Sequence, residues 1–270
     1  MVFRRVTDEG QLFRLAETLK QDFPYSCTMH NNLLFHARRL CSTGTFYVLD
    51  DSPDSHVVMW RNNDVASQFT VHCREREVCQ LQKALKETPL VDWHGNLHIG
   101  CSPHYLLGPI KEVTHHLGPS LGSVQGHTFT YHPHLYTQPL SQYAMDSPLE
   151  TIWRFTQKIP SVGVYLDQTV VELGDILAAR NEEVPVSWIA SSMYGALGML
   201  RTEEDYRGMG LASLVSRVTA RLQASQGYLP HVQVNINNTT SRDLFTHMSG
   251  WRHSHFSFMV STDFTNIKYY

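Results

Sequence analysis

Between Thr202 and Ser213 the chain reads Thr-Glu-Glu-Asp-Tyr-Arg-Gly-Met-Gly-Leu-Ala-Ser. An acidic stretch leads into Arg207, two glycines one residue apart, and an apolar helical pattern. Gly208 and Gly210 admit positive φ and let the backbone come close to a ligand. The first-turn amides of the helix that follows lack intrahelical partners, and the helix dipole favours an anion beside them. Arg207 adds a full positive charge. These residue types at this spacing describe a cradle for a pyrophosphate; the turn taken alone also fits an ordinary glycine-bearing strand–helix junction. The loop has neither the G-K-[ST] of a P-loop nor the G-x-G-x-x-G spacing of a dinucleotide fold.

Other residues capable of chemistry are less ordered in the sequence. The chain has 16 histidines, with pairs at His115-His116, His132-x-His134 and His253-x-His255. None follows a ligand spacing and no H-E-x-x-H helix occurs, so no metal is expected. The five cysteines (Cys27, Cys41, Cys73, Cys79 and Cys101) are odd in number and form no C-x-x-C pair. They read as reduced thiols in an intracellular compartment.

The elements that must position the loop follow from periodicity. Upstream, helices are expected at Glu9–Leu19 and Leu33–Leu40, strands at Thr45–Leu49, His56–Trp60 and Ala66–His72, and a helix at Arg76–Lys86. The Gly-, Pro-, Ser- and His-rich stretch 117–147 reads as a loop or a strand-bearing connector. Downstream, Ser147-Pro148-Leu149-Glu150 is a capping box that predicts a helix to about Lys158, with Ile152, Phe155 and Ile159 on one face. Strands are expected at Ser161–Leu166, Pro185–Ala190 and Gly195–Thr202. A helix follows through Leu211, Leu214, Val215, Val218 and Leu222, then a strand at Val232–Ile236, a short helix at Ser241–Met248 and a last strand at Phe256–Val260. The pattern is α/β, with mixed sheets in two units, residues 1–135 and 136–270.

Composition bounds the function. With 270 residues, 42% apolar and 17% charged, the chain is folded rather than disordered. A net charge of −3 argues against a nucleic-acid binder that works by neutralising phosphates. No apolar run approaches the roughly 20 residues of a membrane helix. The N-terminus carries no apolar secretory core and reads as a first helix.

Arg207, Gly210 and Ala212 fill the Arg/Gln-x-x-Gly-x-Gly/Ala fingerprint of the GCN5-related N-acetyltransferase superfamily, which the sequence resembles. Asn238, Ser241, Leu244, Phe245 and Gly250-Trp251 are similar to that superfamily's later N-x-x-A-x-x-L-Y…G-F stretch, with one extra residue before the glycine. Pro185–Trp188, Gly195–Met199 and Asp205–Gly208 together look like the glycine N-acyltransferase family, and Val91–His98 is similar to its I-N-W-x-x-x-L-Q-I stretch. The resemblance implies two acetyltransferase-like domains, the first degenerate and the second binding acyl-coenzyme A as co-substrate. It places Arg207, Gly208, Met209, Gly210, Leu211 and Ala212 on the pyrophosphate, Leu200 and Thr202 on the pantetheine, and Asn238 near its outer arm. The partners implied are acyl-coenzyme A and a small amine such as glycine. The compartment implied is mitochondrial by resemblance, or cytoplasmic.

Catalytic residues do not follow from the resemblance. The glutamate proposed as general base in the family falls on Ala196, and the superfamily's tyrosine acid falls on Phe245. Glu203, Glu204, Tyr194 and His231 are nearby in sequence, and none is assigned. The chemistry is then base-free acyl transfer or is served by another residue, or the protein binds acyl-coenzyme A without turnover.

Overall fold

A computed structural model describes residues 2–40, 44–49, 56–63, 67–118, 121–132, 151–154, 161–165, 185–192 and 194–262. The first half begins with strand β1 (Phe3–Arg5) and helices α1 (Glu9–Leu19) and α2 (Cys27–Ala37). Asp8 caps α1, its carboxylate accepting from Gln11 N at 2.9 Å. Ten of the eleven residues of α2 are buried, so this helix lies between layers rather than on a surface. Strands β2 (Gly44–Leu49), β3 (Val58–Asn62) and β4 (Gln68–His72) follow, then α3 (Val78–Glu87), β5 (His98–Pro103), α4 (Leu107–Leu117) and β6 (Gly122–Tyr131). The second half holds β7 (Thr151–Arg154), β8 (Val162–Tyr165), β9 (Ser187–Ser191), β10 (Leu197–Thr202), α5 (Leu211–Ser225), β11 (His231–Asn235), α6 (Thr239–His247) and β12 (Trp251–Ser261).

All described strands join one mixed sheet in the order β1-β2-β3-β4-β5-β12-β6-β11-β10-β9-β8-β7. The order reads alike from either end. In each half three antiparallel pairings lead to one parallel pair, β4 with β5 and β10 with β11. At the centre β12, from the second half, lies between β5 and β6, while β6, from the first half, lies between β12 and β11. The two strands are thus exchanged. Phe258 and Val260 of β12 accordingly sit in the core of α3, α4, β4 and β5. Phe129 and Tyr131 of β6 sit with Val215, Val232 and Phe245 in the core of the second half.

The capping-box expectation fails where it can be compared. Thr151–Arg154 is not helical but a strand, paired antiparallel with Val162–Tyr165 from Thr151↔Tyr165 to Arg154↔Val162. Thr, Ile and Trp are strand formers, and ladder bonds to β8 override the cap signal. Residues 147–150 and 155–160 of that expected helix lie outside the described residues. β5 and α4 have no counterpart in the periodic reading, and the connector does bear a strand, β6.

Candidate functional site

β10 and β11 run parallel and pair at Leu197↔Val232, after which they separate. On its other side β10 pairs with β9 at Gly198↔Ala190 and resumes at Arg201↔Trp188, so Met199 and Leu200 face Ile189 alone. This bulge holds Met199 at φ +54 and takes one residue out of the ladder. Glycine at 198, inside a strand pattern, was the sequence's only hint of it. The splay opens a cavity of about 370 Å³ bounded by Ala196, Leu197 and Leu200 on one side and Val232 and Val234 on the other. Asn238, the N-cap of α6, lines it with Ser241 and Phe245 of that helix, Ser257–Met259 of β12 and Cys101 of β5. The first half thus supplies part of the wall, which residue spacing alone did not indicate.

Past Thr202 the chain makes the glycine turn. Gly208 lies at φ +79 and Gly210 at φ +80, both left-handed. Gly210 is the N-cap of α5 and provides no side-chain cap, so the first-turn amides are left for a ligand. A Cβ at either glycine meets nothing within 4 Å, so this face of the loop is open. Arg207 is exposed, its Nε donating to Thr202 O at 3.2 Å and its Nη1 3.5 Å from Glu204 Oε1. Met209 is exposed, Leu211 is buried as the helix anchor, and Ala212 is half-buried. Leu200 and Asn238 border the cavity, whereas Arg207–Ala212 lie beyond its lining. The Thr202 hydroxyl is 2.9 Å from Ser187 Oγ, and Asn238 Oδ1 accepts from Ser241 N at 3.0 Å.

The four proton-bearing side chains near the turn in sequence are held away from this cavity or committed elsewhere. His231 is fully buried, with Nδ1 3.0 Å from the Leu229 carbonyl and Nε2 3.2 Å from Thr28 Oγ1. Burial pushes its pKa down to about 4. Glu203 and Glu204 are paired with Arg201 and Arg207. Tyr194 lines the cavity, but its hydroxyl accepts from Gln68 Nε2, and burial raises its pKa. Ala196 and Phe245 both border the cavity, Phe245 edge-on to Trp251 at 4.9 Å.

The matching turn in the first half, His72–Val78, has no glycine. β4 pairs with β3 from Val58↔His72 to Arg61↔Phe69 without a bulge. The Arg74 guanidinium donates to Asp22 at 2.6 Å, and Arg74 N donates to Glu77 Oε2 at 3.0 Å. Both are consumed within the protein.

The fold as a whole has relatives among known structures. A Drosophila protein superposes with TM-score 0.68 at 14% identity, over 96% of this chain and 97% of its own. A tandem acetyltransferase-fold protein from the clavulanic acid biosynthesis pathway, solved without acetyl-coenzyme A, superposes with TM-score 0.52 at 11% identity, over 96% of this chain and 97% of its own. The fold is that of the GCN5-related N-acetyltransferases. Residues 177–257, which include the turn Arg207–Ala212, match the family model described as FR47-like protein. No curated protein matches the chain. Among the described residues no group of three or more His, Cys, Asp or Glu is placed to hold a metal, and no helix is long and apolar enough to cross a membrane.

Proposed function

We propose that this protein is an N-acyltransferase that moves an acyl group from acyl-coenzyme A to the amino group of glycine or another small amine. In this reading residues 136–270 carry the coenzyme A site and residues 1–135 close one side of it. The observation that carries it is the continuity of three features: the splay of β10 from β11, the bulge at Met199–Leu200, and the uncapped glycine turn into α5. The turn's amides and Arg207 would take the pyrophosphate. The pantetheine would run along β10 past Thr202 and Leu200, with Asn238 near its outer arm. A backbone amide freed by the bulge would polarise the thioester carbonyl as the tetrahedral oxyanion forms. Holding amine and thioester in line supplies much of the remaining acceleration.

With Ala196 and Phe245 where a base and an acid are expected, the amine arrives already deprotonated. Release of coenzyme A thiol from acetyl- or benzoyl-coenzyme A, with glycine and a panel of amines, should therefore depend on one acceptor. The rate should climb from pH 7 to 9 as that amine loses its proton to water. Ala196 and Phe245 equally favour a second reading, an acyl-coenzyme A-binding protein without turnover. That reading gains the lead if acyl-coenzyme A binds and no acceptor releases thiol.

A further inference from the structure

β4 and β5 of the first half are splayed as β10 and β11 are. They pair at Gln68↔His98 and Phe69↔Ile99, and the pairing then stops. The next residues are Thr70 and Gly100, and a side chain from the other half packs against Gly100. A Cβ at Gly100 would lie 2.8 Å from the Tyr194 ring and 3.0 Å from Thr70 Oγ1. The Tyr194 ring also meets Trp60 edge-on at 5.9 Å, and its hydroxyl accepts from Gln68. Tyr194 is carried on the turn before β10, so it belongs to the second half while filling the strand gap of the first.

The same ring borders the cavity between β10 and β11, as does Cys101, the neighbour of Gly100. Tyr194 thus borders the candidate coenzyme A cavity while packing against Gly100, Gln68 and Trp60 of the first half. Seven residues separate Tyr194 from Thr202, and the glycine turn lies beyond Thr202. A pantetheine entering from that turn would reach Tyr194 last, with the acyl group in front. Beside Gly100 the Thr70 hydroxyl is buried without a hydrogen-bond partner, so the end of the β4–β5 pairing is not closed by a matched polar contact.

Resting on the acyltransferase reading above, we infer that Tyr194 is the stop that sets acyl length. It admits short acyl groups, and its removal joins the cavity to the gap between β4 and β5 and admits longer, apolar ones. The test is the affinity of the full chain for acetyl- and octanoyl-coenzyme A by titration calorimetry, read as a ratio within each protein. The octanoyl-to-acetyl ratio should rise at least about tenfold in Tyr194→Ala, since two buried methylenes already supply that factor. It should rise less in Tyr194→Leu and stay as in the wild type in Tyr194→Phe. Circular dichroism melting checks the fold, and Tyr194→Leu decides if the alanine variant does not fold. An unchanged ratio in a folded variant that still binds acetyl-coenzyme A overturns the stop alone. A wild-type chain that binds neither ligand overturns the acyltransferase reading and the stop with it.

Discussion

At φ +80 Gly210 holds a backbone conformation that strains any L side chain, and it is the N-cap of α5, where no side chain occupies the helix amides. The space around it is open, so a larger residue meets no protein atom but projects into the mouth of the turn. Gly210→Val should therefore cost about 1–2 kcal/mol of stability through backbone strain. Its effect on coenzyme A should be far larger, with binding lost in calorimetry while a cooperative melt persists. A valine variant of normal affinity would remove the phosphates from this turn. Met199 makes the complementary case: a non-glycine residue at φ +54, kept in place by the ladder on both sides of the bulge.

At the scale of elements, Asp22 ties the end of α1 to the first half's sheet. Its carboxylate accepts from His56 Nδ1 at 2.5 Å, His72 Nε2 at 3.3 Å and Arg74 Nε at 2.6 Å, and it is almost wholly buried. Burial alone would raise its pKa, but the hydrogen bonds from His72, Arg74 and His56 outweigh it and hold the carboxyl well below the usual range. The contribution is complete above the unfolded value near 4 and is lost as pH falls below it. Asp22→Asn leaves Arg74 and two histidines facing a neutral amide and should cost about 3 kcal/mol, read from thermal melts at pH 7. The melt should fall while coenzyme A affinity stays, because Asp22 lies in the half whose turn is spent on internal bonds.

The sequence carried the second half well and the first half in part. Apolar spacing in Leu211–Leu222 and the β-branched runs of β8 and β11 name their elements because each packs one face or two against a single core. The left-handed turn at Gly208 and Gly210 was legible because backbone freedom is written in residue type. Thr151–Arg154 was not, since its state is decided by a partner strand eleven residues away rather than by a local cap. Cys101 and Tyr194 were invisible as cavity neighbours because one strand exchange and one turn bring them together. No local period records such a meeting.

The whole molecule has buried, neutral histidines at the junction of its halves. Burial lowers both His231 and His255 to about 4, from a normal value of 6.5. Below about pH 6.5 the unfolded chain takes up protons that the folded chain refuses, so stability falls as pH drops from 6.5 toward 4. Each histidine contributes at most about 1.4 kcal/mol per pH unit there. Denaturant unfolding at pH 7, 6 and 5 should show a falling midpoint, with a shallower fall in His231→Gln. A midpoint independent of pH would mean that neither ring stays neutral in the fold.

The exchange of β6 and β12 sets an order of events during synthesis. β6 is complete at Tyr131, but its neighbour on the β5 side begins only at Trp251, 120 residues later. At roughly 5–20 residues per second, the first half leaves the ribosome with the facing edges of β5 and β6 bare for roughly 6–24 s. Open strand edges invite pairing with other chains. A nascent chain of this protein thus keeps two edges open to other chains until β12 arrives, and synthesis halted between residues 131 and 251 would leave a half-zipped sheet.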